Sequence, residues 1–298
     1  MLSKSTILHL RFPFSFFLLP IFLFAVAASP NLLINRLQWV FIILHLFVYP
    51  ASNGYNSYFD NDEQSIGGLK HPPPVSRQLY WTSLFLDLLA IVLAVYFIDV
   101  SFAVMVLIYG LVSKAYSHPS VRLKKYAIAG WVITGFFQGF FMFMMCYAAL
   151  NKYELANLWQ VQIVSPAATT TLMLWANYPM TQVYQHEEDK RHGDMTLSLL
   201  LGIRGTFLFA AGFFGLAVLA FVYYFSSFHS ARHGAAFLLV MTPIVVYFMF
   251  WFLQVWRKPA KADYAHTMVL NMLSSTCLSA FFIWLLFDIR NVGRYLFD

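Results

Sequence analysis

Two short stretches of the chain place oxygen-bearing side chains four residues apart, the spacing that brings them onto one face of a helix. In the stretch from Asn53 to Gln64, which reads NGYNSYFDNDEQ, Asn56 and Asp60 are so placed. In the stretch from Tyr184 to Thr196, YQHEEDKRHGDMT, Gln185 and Asp189 repeat the pattern. Amide and carboxylate oxygens converging from two such faces suit a hard cation such as Mg2+, which takes its remaining ligands from water and phosphate. His186 and His192 share no helix face and offer no transition-metal pattern. The bland alternative is that these polar residues cap helix ends and balance Lys70, Lys190 and Arg191. Against it stands their concentration, since seven of the thirteen acidic residues lie in these two stretches. Carboxylates packed so densely repel one another unless a cation compensates.

The elements that must position them are membrane helices. Hydrophobic residues make up 60% of the 298 positions and charged residues 11%, with a mean hydropathy of +0.65. No soluble fold buries that much apolar surface. The excess of six basic residues then implies anionic lipid or a phosphorylated ligand, and no nucleic acid. Cys146 and Cys277 fall in apolar runs with neither disulfide nor zinc spacing.

Nine apolar stretches of membrane-spanning length centre on Phe12–Ala28, Leu37–Ser57, Leu79–Phe97, Ser101–Ser117, Ala127–Leu150, Trp159–Tyr184, Gly205–Ser226, Gly234–Leu253 and Met268–Phe287. Ala25-Val26-Ala27 after Lys4 and Arg11 resembles a signal-peptidase site, but Pro13 and Pro20 are foreign to a signal core. With the first helix kept and the N-terminus cytoplasmic, Lys and Arg divide about 14 inside to 5 outside, the latter Arg36, Lys152, Arg232, Arg290 and Arg294. Both acidic stretches then lie on the cytoplasmic face. They are four helices apart, which suggests a single domain over residues 1–298 built as two four-helix halves plus a ninth helix. Gly67-Gly68-Leu69-Lys70-His71-Pro72-Pro73-Pro74 reads as loop and as a candidate lid. Asp87, within the third stretch, is either functional or a hydrogen-bonded structural acid. Asn177 and Gln138 read equally well as bridges between helices.

The two stretches resemble the aspartate-rich motifs of the UbiA superfamily of intramembrane prenyltransferases. Asn56-Ser57-Tyr58-Phe59-Asp60-Asn61-Asp62 is similar to the first motif, NDxxDxxxD. Gln185 to Asp189, trailed by Gly193, Thr196 and Leu-Gly-Ile-Arg-Gly, is similar to the second, DxxxD. Tyr116-Ser-His-Pro119-Ser-Val-Arg122-Leu-Lys124 looks like the family's basic loop between helices four and five. The chain departs from the pattern at Ser57, Gln64 and Gln185, where an acidic residue is expected. An amide keeps the oxygen ligand and loses the charge.

The resemblance implies an all-α, polytopic bundle of about nine helices that transfers a polyprenyl group from its diphosphate to a lipophilic acceptor, usually aromatic or a quinone precursor. It implies Mg2+ held by Asn56, Asp60, Asp62, Gln185, Glu188 and Asp189, with Asp60 and Asp189 catalytic. It implies diphosphate contacts from Tyr116, Arg122, Lys124 and Lys190. The expected partners are the polyprenyl diphosphate, the acceptor and membrane lipids, in a bacterial cytoplasmic membrane. The rival readings are a transporter, and a protein of the same fold that only binds or cyclises isoprenoid diphosphates.

Overall fold

The structure, a computed structural model, describes residues 2–290. Arg294, counted above, and both ends of the 1–298 span lie outside them. Among the described residues nine long helices form the bundle: α1 (Lys4–Ala28), α2 (Ile34–Asp60), α3 (Arg77–Phe97), α4 (Val100–Ser117), α5 (Ala127–Asn151), α6 (Val161–Met180), α7 (Leu197–Phe228), α8 (Ala231–Arg257) and α9 (Tyr264–Ile289). All but α6 are long and apolar enough to cross a membrane. Helix α6 is diluted by Thr169, Thr170 and Thr171, all buried. Thr169 and Thr170 return their hydroxyls to the carbonyls of Ser165 and Ala167, both at 2.7 Å. Such back-bonding lets a polar helix stand in an apolar interior, here packed against α7 and α5.

The core is aromatic. Phe24 of α1 is fully buried and its ring lies 4.5 Å from that of Phe282, 5.2 Å from Phe143 and 5.5 Å from Phe221. Ala25-Val26-Ala27, the candidate cleavage site, is therefore buried helix within the bundle.

Several expected boundaries shift, each for a local reason. Helix α1 begins at Lys4 and breaks at Arg11, whose φ of 47° is left-handed. Pro13 and Pro20 then start the two following helical segments, where a missing N–H costs nothing. Helix α6 stops at Met180, and residues 181–185 turn into a separate short helix, His186–His192. Pro179 leaves the Trp175 carbonyl without its helical donor, and Trp131 Nε1 takes it up at 2.9 Å. Gly193 (φ 70°) ends the short helix, and Thr196 caps α7 by accepting from Leu199 N–H. Helix α2 carries a π-helical segment, Ile43–Val48, directly ahead of Pro50. The wider turn accommodates the proline ring without ending the helix.

The N-terminal turn and both acidic stretches occupy one end of the bundle. Ser5 Oγ donates to Pro74 O and His9 Nε2 meets Pro73 O, each at 2.7 Å, so the Gly67–Pro74 loop is held along the start of α1. At the other end Arg36 pairs with Asp99 at 2.9 Å and Arg232 with Asp288 at 3.0 Å. Lys114, counted above as a loop charge, sits in the last turn of α4 and forms an ion pair with Asp87 of α3. The two charges neutralise each other, which accounts for an acid in that span.

Close packing makes the central contact testable. A Cβ on Gly139 of α5 would lie 2.7 Å from Thr171 Cα, a backbone atom that cannot move aside, whereas one on Gly212 of α7 would meet nothing within 4 Å. Gly139→Ala is expected to destabilise the protein by about 1–3 kcal/mol, and Gly212→Ala to be neutral or to stabilise it by up to about 1 kcal/mol. Thermal unfolding in detergent measures both. Equal effects would remove the α5–α6 contact as a packing constraint.

Candidate functional site

The ends of α2 and α4, the loop after α4, and the segment from Thr181 to Thr196 enclose a cavity of about 260 Å³ at the loop-bearing end of the bundle. The i, i+4 relation on α2 holds as expected: Asn56 Nδ2 donates to Asp60 Oδ2 at 2.7 Å and to Ser117 Oγ at 2.9 Å. On the second stretch Asp189 N–H donates to Gln185 O at 2.9 Å. These two are spaced by the short helix and not by the end of α6.

Eight of the expected residues line this one cavity: Asn56, Asp60, Asp62, Tyr116, Lys124, Gln185, Glu188 and Asp189. Lys190 does not. It is exposed on the outer side of the short helix. Arg122 stands behind the wall. Gln64 is turned away, its amide donating to Glu187 Oε2 at 3.3 Å. Gln185 faces the cavity, and its Nε2 reaches Ser65 O at 3.5 Å. Tyr116 and Tyr178 share a hydroxyl–hydroxyl hydrogen bond on the cavity wall.

The charges are shared out in a fixed order. Lys124 Nζ lies 2.6 Å from Asp60 Oδ1 and 3.1 Å from Asp194 Oδ2. Arg122 forks onto Asp194, with Nε at 2.7 Å from Oδ1 and NH2 at 2.9 Å from Oδ2. Burial alone would lower the Lys124 pKa, but Asp60 and Asp194 outweigh it and raise it. Burial would likewise raise Asp194, yet its bonds to Arg122 and Lys124 hold it below the usual carboxylate range.

The remaining acids have the opposite balance. Burial first, then neighbouring Asp60, pushes Asp62 up to about 7. Burial lifts Asp189 to about 6 although Thr196 Oγ1 donates to it at 2.8 Å. These oxygens are short of positive charge, and the donor set is carboxylate and amide oxygen, which fits a hard divalent cation.

Three contributors went unrecognised in the sequence. Asp194 belongs to the acidic stretch but has no helical spacing partner, and only the fold sets it against Arg122. His192 was set aside, yet its ring nitrogen, Asp62 and Glu188 offer ligand atoms within 4.8 Å of one another. Arg11 had been counted only as a flanking charge. It is 8% exposed, lines the cavity, and donates to Gly67 O at 3.0 Å and Asn53 O at 3.3 Å. Among the described residues it has no carboxylate within 4.0 Å, and its Nε has no hydrogen-bond partner. An isolated arginine in an apolar run was the available signal.

Comparison with known proteins gives a consistent likeness. The profile of the UbiA prenyltransferase family matches residues 17–286. No curated protein sequence matches the chain. Among solved structures, a UbiA homologue from Archaeoglobus fulgidus bound to DMAPP and Mg2+ superposes with a TM-score of 0.67 at 15% identity, covering 95% of this chain and 99% of that one. The apo structure of a UbiA homologue from Aeropyrum pernix K1 gives 0.67 at 15% identity, covering 95% and 98%. A structure described as digeranylgeranylglyceryl phosphate synthase gives 0.61 at 19% identity, covering 95% and 98%. At these identities the structures speak for the fold.

The ion network predicts strong coupling. Asp194 is 1% exposed in its side chain, beside Arg122 and Lys124 at 15% and 10%. Asp194→Asn strands part of two buried cations and is expected to cost about 3–5 kcal/mol. Adding Arg122→Met should recover part of that loss, so the double variant loses less than the sum of the singles. Unfolding in detergent reads the cycle. Additive losses would mean that the two residues do not share the network.

Proposed function

The chain belongs to the UbiA prenyltransferase family, and from that premise we propose that it transfers a prenyl group from an allylic diphosphate to a lipophilic acceptor within the membrane. One observation carries the reading. Two stretches more than a hundred residues apart turn Asn56, Asp60, Asp62, Glu188 and Asp189 into a single cavity that also holds Arg11 and Lys124. Solvation of helix ends would not require convergence, and a transport site is expected near the bilayer midplane and not at the helix ends.

In this reading Asn56, Asp60, Asp62, Glu188 and Asp189 hold Mg2+, with Gln185 as a neutral ligand. The ion, when bound, supplies Lewis-acid stabilisation of the charge that gathers on a departing diphosphate. Arg11 and Lys124 donate to the phosphate oxygens, and Arg122 holds Lys124 in place through Asp194. Lys190 takes no part. Below the charged rim the wall becomes Phe17, Leu18, Phe137 and Leu174. These side chains exclude the water that would quench an allylic cation, and aromatic faces tolerate its charge. The charge bias between the two ends supports a cytoplasmic N-terminus and cavity mouth.

The direct test incubates membranes carrying the protein with labelled allylic diphosphates and a panel of quinone precursors and lipids, followed by mass analysis of the extract. A prenylated acceptor is the expected product. A cyclic hydrocarbon, or unchanged diphosphate with every acceptor, would replace transfer with cyclisation or binding.

Chelation is expected to abolish diphosphate release, and undiminished turnover in excess chelator would remove the metal. Asp60→Ala and Asp189→Ala should each lower turnover by about a hundredfold or more while leaving the protein folded, a loss of about 2.7 kcal/mol or more in transition-state stabilisation. Near-normal rates in both variants would return the acidic stretches to solvation. Gln185→Asp adds a charge at the cavity wall and should lower the half-saturating Mg2+ concentration. Gln64→Asp, set against Glu187 outside the cavity, should leave it unchanged. A metal titration in nanodiscs decides between the two positions, and equal effects would withdraw the assignment of Gln185.

A further inference from the structure

The loop that joins α8 to α9 gathers positive charge at the cavity-bearing end of the bundle, where Tyr264 at the start of α9 packs edge-on against Tyr184 of the cavity wall. Arg257, Lys258 and Lys261 are exposed there. Arg204 of α7 joins them: its NH2 donates to Trp256 O at 2.7 Å, and its guanidinium lies 5.3 Å from the centre of the Trp256 ring. Among the described residues none of these cations has a carboxylate within 4.0 Å. Asp263, the nearest acid along the chain, pairs with His266 at 2.8 Å. The turn that carries the lysines is held in place. Lys261 N–H donates to Lys258 O at 3.0 Å, and Nε1 of the fully buried Trp251 donates to Lys261 O at 2.7 Å.

On α8 itself Val246, Phe250, Leu253 and Arg257 follow one another at the spacing that sets side chains on one helix face. Val246, Phe250 and Leu253 are each more than half exposed. At 1.5 Å per residue this stripe runs about 16 Å, close to half of a hydrocarbon core of about 30 Å. Trp256 stands at its end, the level at which tryptophan meets lipid headgroups. The arrangement exceeds what the fold needs. The carbonyl end of α8 carries only about half a negative charge, too little to balance this group of cations. A loop charged merely to orient the chain has no need of Arg204 from another helix.

We infer that Arg204, Arg257, Lys258 and Lys261 bind the phosphate headgroup of an anionic phospholipid, with an acyl chain lying along the exposed stripe of α8. The site shares no lining residue with the cavity, and the inference is independent of the prenyl-transfer reading. Phosphate oxygens accept from guanidinium and ammonium donors together, and each basic side chain at the membrane surface adds to the attraction. A zwitterionic headgroup returns a positive charge to the same place and gains little. A soluble phosphate would meet the cations and leave the apolar stripe unused. An acidic protein could not follow that stripe into the hydrocarbon.

The test titrates the full chain in detergent with equal amounts of phosphatidylglycerol and phosphatidylcholine, and native mass spectrometry counts the adducts of each. Wild-type protein is expected to hold the first phosphatidylglycerol about tenfold more tightly than the first phosphatidylcholine. Lys258→Gln and Lys261→Gln should each reduce that preference by about two- to fivefold. Lys258→Arg keeps the charge and should keep the preference, and the triple variant Arg257→Gln, Lys258→Gln, Lys261→Gln should abolish it. Lys70→Gln and Lys190→Gln remove the same charge from other exposed positions at the same end and should leave the preference intact. Thermal unfolding checks that each variant is folded, and if the triple variant is not, the single ones decide. Equal binding of the two lipids by wild type, a full preference in the folded patch variants, or an equal loss in Lys70→Gln and Lys190→Gln overturns the site. Displacement of phosphatidylglycerol by inorganic phosphate at constant ionic strength would make the occupant a free anion and overturn the lipid.

Discussion

Lys124 lies within ion-pair distance of both Asp60 and Asp194, and the mouth of the bundle depends on this shared cation. Asp60 ends α2, Lys124 belongs to the loop after α4, and Asp194 follows the short helix. Three segments with no common secondary structure are therefore fastened at one ammonium group. A backbone bond between Met195 N–H and Lys125 O, at 3.1 Å, runs beside it. Because these charges sit where water is scarce, each must have its partners, and the loops are positioned by that requirement. Arg122 adopts a left-handed φ of 44° in the same loop, which turns its guanidinium back onto Asp194.

A second set of devices lets continuous helices present polar groups at chosen depths. Regular helices in an apolar bundle satisfy their own backbones and leave nothing for a ligand. Here the left-handed Arg11, the π-helical segments Ile43–Val48 and Phe136–Phe141, and Pro179 interrupt that regularity. Side chains take up some of the freed groups. Thr171 Oγ1, for example, accepts from Phe140 N–H at 2.9 Å where α5 widens.

The cavity is where stability is given up. Buried carboxylates with raised pKa values, and a buried arginine with no carboxylate within 4.0 Å among the described residues, both cost stability there. They line one cavity. Elsewhere aromatic rings stack in the core and opposite charges are matched at the far end.

Much of this was legible in the amino-acid sequence because it depends on short-range pattern. Runs of apolar residues long enough to cross a bilayer marked the helices, and the four-residue spacing of Asn56 and Asp60 survives as a 2.7 Å hydrogen bond. Helix boundaries moved where left-handed residues, glycine or proline interrupted a run, since hydropathy averages over such points. What the sequence could not contain was distance between segments. Lys190 and Lys124 carry the same charge in similar company, yet one lies on the exposed side of the short helix and the other, in the loop after α4, reaches Asp60, because only packing sets which loop faces the cavity. Gln64 and Gln185 both stand as amides in place of acids, and the fold points only Gln185 into the cavity. Arg11, Asn177 and Asn271 come from three helices, and their convergence on one cavity is a property of the bundle, decided by how α1, α6 and α9 pack.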